Sequence, residues 1–66
     1  MQIQFNDHLV SCTENTTVTQ LLSTFHQLKP GTALALNQTI LPRENWDNHI
    51  LQPGDDLLLF EVIAGG

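Results

Sequence analysis

The sequence predicts an α+β domain: one mixed sheet of about five strands with one main helix packed across one face. Three observations carry this. Met1, Ile3 and Phe5 alternate with Gln2 and Gln4, the period-two pattern of a strand with a single buried face. Val18, Leu21, Leu22, Phe25 and Leu28 recur at helical spacing behind a Thr17/Gln20 pair with capping-box separation. The second half then breaks into short apolar runs divided by turn residues.

Taken in order, Asn6-Asp7 follows the first strand, and both residue types tolerate the positive φ of a tight hairpin turn. Residues 8–12 return as the second strand, and Glu14-Asn15-Thr16 is a polar connector. The helix starts at Thr17, whose hydroxyl oxygen can accept backbone N–H groups, and Pro30-Gly31 stops it. Its stripe is core, with Thr19, Gln20, Ser23, Thr24 and Gln27 on the other face. Leu34-Ala35-Leu36 and Thr39-Ile40-Leu41 are short strands around an Asn37-Gln38 turn. Residues 42–48 hold Trp46 among polar neighbours and suit a turn or one helical turn, with Trp46 and Arg43 in structural roles. Pro53-Gly54-Asp55-Asp56 is a strong turn signal. The last strand, 57–63, is apolar at almost every position, which predicts contact on both faces.

Sixty-six residues make one small domain, which buries only about 60% of its unfolded surface. Cys12 is the one cysteine, so no internal disulfide compensates. That, with no apolar span and no secretory leader pattern, points to a cytoplasmic protein away from membranes. Two basic residues face seven acidic ones, a formal charge of −5. Lys29 and Arg43 cannot neutralise a phosphate backbone, so nucleic-acid binding is disfavoured. The acidity suits a partner with a basic docking face, or keeps a small domain in solution.

No autonomous catalytic site is legible. His8, His26 and His49 fall on a turn, a polar helix face and a loop, without metal-ligand spacing. Cys12 has acidic neighbours and reads as an inert thiol. Asp55-Asp56 reads as a turn pair. The feature with chemical content is the ending Ala64-Gly65-Gly66 beyond an apolar strand. Glycine packs nothing and is costly to order. It does make an arm thin enough for another protein's channel. Residues 63–66 are therefore expected to be a flexible tail on a 1–62 domain, spanning about 13 Å when extended.

These pieces together resemble the ubiquitin-like β-grasp family over the whole chain, and within it the sulfur carrier proteins of thiamin-thiazole biosynthesis. The matching stretches are Thr17-Val18 leading Leu21-Leu22, then 34–38, then Ile40-Leu41-Pro42-Arg43-Glu44-Asn45-Trp46, then Pro53-Gly54-Asp55 and the terminal glycines. Pro42-Arg43-x-x-Trp46 is the most discriminating. The glycines are shared with molybdopterin-synthase small subunits and ubiquitin-like modifiers, so they mark the superfamily.

The resemblance implies first and last strands parallel at the sheet centre. It also implies a carrier acted on by other enzymes. An adenylating enzyme would use ATP and magnesium to activate the Gly66 carboxylate. A cysteine desulfurase relay would supply sulfur to form a thiocarboxylate, and thiazole synthase would take that sulfur. No cofactor is expected on the carrier itself. Gly65, Ala64 and Ile63 would give the tail access to the channel. Register with such an ending turns Leu57 and Leu59 inward and leaves Leu58, Phe60 and Val62 on the helix-free face, a patch for partner docking with Glu61 meeting a basic surface. The alternatives are a molybdopterin-synthase small subunit with the same terminal chemistry, and a passive interaction domain.

Overall fold

The computed structural model describes residues 1–62. Five strands and one helix run in the order β1 (Gln2–Phe5), β2 (His8–Ser11), α1 (Val18–Thr24), β3 (Thr32–Leu36), β4 (Thr39–Leu41) and β5 (Asp56–Glu61). A 3₁₀ turn, Arg43–Asn45, precedes Trp46. The sheet order is β2-β1-β5-β3-β4. The first and last strands pair in parallel at its centre, and every other pairing is antiparallel.

Both hairpins turn on two residues with positive φ: Asn6 and Asp7 (49° and 68°), then Asn37 and Gln38 (50° and 72°). That left-handed pair matches the right-handed twist of the flanking strands, which explains why asparagine leads each turn. The asparagine side chains also tie down the distant final strand. Asn6 Oδ1 accepts from Leu59 N–H at 2.8 Å, where β1 has already turned away. Asn37 Oδ1 accepts from Asp56 N–H at 3.0 Å, and its Nδ2 donates to Asp55 Oδ1 at 3.1 Å. Asp55 is itself buried, its other oxygen accepting from Gln52 N–H at 2.8 Å. The turn pair Asp55-Asp56 is thus a rivet between two loops.

The helix carries the expected capping box: Gln20 N–H donates to Thr17 Oγ1, and Thr17 N–H to Gln20 Oε1. The next orphan donors, Val18 and Thr19 N–H, reach the carbonyls of His49 and Trp46. The loop before β5 therefore closes the helix start. The other end departs from the sequence reading. Helix α1 stops at Thr24, well before Pro30. His26 adopts φ 57°, its N–H donates to Ser23 O at 3.1 Å, and Gln27 N–H donates to Leu22 O at 2.8 Å. This is a Schellman ending with histidine in the place glycine usually takes. Leu28 consequently lies off the helix and is exposed, and His26 sits beyond the helix rather than on its polar face. His8 opens β2 rather than the turn.

Ile3, Val18, Leu21, Leu22, Leu34, Trp46, Leu51 and Leu57 form the buried core between helix and sheet. Met1, Phe5, Phe25, Leu36 and Leu59 close around it, with the Phe5 and Phe25 rings 5.3 Å apart at a 58° tilt. Trp46 is 1% exposed, and its Nε1–H donates to Leu41 O at 3.0 Å. A buried indole needs such a partner, so the expected structural role holds. Among the described residues no helix is long and apolar enough to cross a membrane.

Candidate functional site

Strand β5 has two unlike faces, and this alternation builds the site. Leu57 is fully buried and Leu59 packs against the core, whereas Leu58 is 49% and Phe60 40% exposed. The expectation of contact on both faces is therefore corrected: one face of this central strand is covered by helix, and the other is open. Leu58 and Phe60 stand where the register predicts, and Val62 and Glu61 are exposed just beyond.

Pairing extends the patch across three strands. Ala35 lies opposite both Leu58 on β5 and Ile40 on β4, and Ala33 lies opposite Phe60. Residues directly opposite one another share a face. Small alanines on β3 thus leave a shallow trough between Leu58–Phe60 and the exposed Ile40. Sequence reasoning missed Ile40, Ala33 and Ala35. The alternation in Thr39-Ile40-Leu41 held a signal, but the β3–β5 register that brings them together is not local. Asp56 and Asp7 rim the same face beside Leu58 and Ala35. The result is an exposed apolar strip with an acidic end.

The strip leads to Val62, whose N–H donates to Gly31 O at 2.8 Å and adds a last bond to the β3–β5 ladder. Ile63, Ala64, Gly65 and Gly66 lie outside the described residues.

The remaining candidates stay apart from this surface. Cys12 is half-buried against the core, and its N–H donates to Met1 O at 2.9 Å, a packing role. His8 and His26 are exposed. His49 is half-buried beside Leu41, Asn45 and Asn48, its Nε2 shielded and without a hydrogen-bond partner among the described residues. The reading of all three histidines as surface residues is corrected to that extent. Among the described residues no three His, Cys, Asp or Glu side chains converge as a metal site would require.

Known proteins share this geometry. A model of the ThiS family matches residues 3–66, through the terminal glycines. The sulfur carrier protein ThiS of Escherichia coli (strain K12) is 54% identical over 66 residues, spanning all of both chains. The crystal structure of a thiamine biosynthesis protein (ThiS) from Geobacter metallireducens superposes with a TM-score of 0.87 at 26% identity, again over all of both chains. The solution structure of a thiamine biosynthesis protein from the same organism gives 0.73 at 27% identity, covering all of this chain and 88% of that one. The five-strand order with its parallel central pair is therefore the ubiquitin-like β-grasp of these relatives. With fold and full-length sequence in agreement, the chain belongs to the ThiS family.

Proposed function

We propose that this chain is a sulfur carrier for thiamin-thiazole biosynthesis and that the Gly66 carboxylate is its reacting group. The observation that carries the reading is the full-length, 54% identity to a protein named as a sulfur carrier.

A carboxylate at neutral pH is a poor electrophile, because resonance spreads negative charge over the carbonyl. An adenylating partner with ATP and magnesium overcomes this. A carboxylate oxygen attacks the α-phosphorus, pyrophosphate leaves, and the acyl-adenylate now has AMP as a leaving group. The outer sulfur of a relay persulfide attacks the carbonyl carbon and AMP departs, leaving an acyl disulfide. A partner thiol then attacks the relay-side sulfur, forms a disulfide with it, and releases the thiocarboxylate for thiazole synthase. The partners supply the cations and donors that stabilise these charges. This chain supplies a docking face and reach. Leu58, Phe60, Val62 and Ile40 hold the partner, with Glu61 and Asp56 toward basic groups. Fully extended, four residues such as 63–66 would reach about 13 Å. The absence of side chains on Gly65 and Gly66 lets a channel close on the backbone.

Complementation tests this. In a bacterium lacking its own thiamin sulfur carrier, this chain restores growth without thiamin, and the chain shortened by Gly66 does not. Rescue by the shortened chain would contradict a reacting terminal carboxylate. Rescue of a molybdenum-cofactor defect alone would place the same chemistry in molybdopterin synthesis.

A further inference from the structure

The carrier's root is held by a chain of contacts that the docking face does not include. Arg43 stacks its guanidinium over the Trp46 ring, 4.7 Å from the centroid. Trp46 is anchored in the core, so the ring is a fixed platform. From there the guanidinium reaches the loop between α1 and β3. One nitrogen donates to Lys29 O at 2.9 Å and the other to Thr32 Oγ1 at 3.4 Å. The Thr32 hydroxyl in turn donates to the same Lys29 O at 2.8 Å. Between these two anchored residues lies Gly31, with φ +79°, and its carbonyl is the acceptor for Val62 N–H.

We propose that Arg43 is a positioning residue for the carrier's C-terminal end: it braces the 29–32 segment against Trp46 and, through the Gly31 carbonyl, fixes Val62, the residue from which 63–66 continue. This rests on the carrier reading. Four residues follow Val62 in the sequence, so where Val62 is held bears on where the Gly66 carboxylate is presented. Misplacement of a reacting group by about 1 Å can cost about a hundredfold in rate. Docking on the open face would be unaffected, since Arg43's hydrogen bonds and its stacking contact go to Lys29, Thr32 and Trp46, none of them in the strip. Lysine cannot replace the function, because it is a point charge without the planar two-nitrogen fork.

The test uses the full chain as wild type, Arg43→Gln, Arg43→Lys and Thr32→Val, with two readouts. The first is hydrogen exchange at the Val62 amide. The second is steady-state ATP–pyrophosphate exchange by the adenylating enzyme, with the carrier as varied substrate. Arg43→Gln is expected to speed Val62 exchange and lower kcat, each by about tenfold, while KM stays within about twofold. Arg43→Lys behaves as Arg43→Gln, with faster Val62 exchange and lowered kcat, and Thr32→Val, which removes only the hydroxyl, shows a smaller shift in the same direction. Arg43→Gln with wild-type Val62 exchange and wild-type kcat overturns the proposal, even if its melting temperature falls. So does a rise in KM with kcat unchanged, which would make Arg43 a docking contact. Wild-type carrier that is never adenylated overturns the carrier reading instead, and Val62 exchange then still decides whether Arg43 pins the root.

Discussion

Leu57 and Leu58 are adjacent, chemically identical and placed on opposite faces of the central strand, 0% and 49% exposed. Truncating each to alanine isolates burial from composition and from strand propensity. A fully buried leucine cut to alanine costs about 2–5 kcal/mol, the transfer of the lost methyl groups plus the cavity they leave. Leu57 belongs to the buried cluster on the central strand, opposite Phe5 and Leu36 in register, so little collapse is available, and about 3 kcal/mol is expected. Leu58 loses contact with solvent on only half its surface and leaves no enclosed cavity, so its truncation should cost less than about 1 kcal/mol. A chain of 66 residues has a total stability of about 3–10 kcal/mol. Leu57→Ala should therefore leave a marginal fold with an early urea midpoint, and Leu58→Ala a near-normal one. Urea titration followed by the single tryptophan, Trp46, reads both. Equal losses for the two variants would refute the assignment of faces, and with it the open docking strip.

Three further outcomes follow from particular contacts. Phe60→Ala should weaken binding to the adenylating enzyme by about 2 kcal/mol or more, as an interface anchor does. Its unfolding free energy should fall by less than the roughly 3–5 kcal/mol of a buried phenylalanine, since Phe60 is 40% exposed; calorimetry on both equilibria checks the order of the two effects. Asp55→Ala removes the acceptor for Gln52 N–H and Asn37 Nδ2. Leaving those donors unpaired should cost about 1–3 kcal/mol, measured by urea titration. His26→Gly relieves the left-handed backbone at φ 57°. It should stabilise by about 0.5–1 kcal/mol, a rise of about 2–8 °C in Tm. An unchanged or lower Tm would show that the histidine side chain contributes there.

What the sequence disclosed was local. Met1, Ile3 and Phe5 fixed which face of β1 meets the helix, and the Thr17/Gln20 box marked the helix start, because both signals lie within a few residues. The asparagine-led turns were legible for the same reason. The helix ends well before the Pro30-Gly31 signal because the chain places a non-glycine residue, His26, in the left-handed position two residues past Thr24. The side-chain ties from Asn6 and Asn37 to β5 and to Asp55 just before it span 53, 19 and 18 positions and leave no periodic trace. The exposed apolar strip was half-visible. Leu58, Phe60 and Val62 alternate along one strand, but Ile40 and the alanines of β3 join them only through strand pairing. The resemblance drawn from Pro42-Arg43-x-x-Trp46 pointed to the family. The bracing of the 29–32 loop by that same arginine appears only when the two segments are seen folded together.

The central claim is that the terminal carboxylate is converted to a thiocarboxylate. The most direct measurement is the intact mass of the protein after incubation with its adenylating enzyme, ATP, magnesium, cysteine and a cysteine desulfurase. The expected result is a gain equal to one oxygen replaced by one sulfur, localised to the C-terminal peptide and absent when Gly66 is deleted. An unchanged mass with partners shown to be active on another carrier would contradict it.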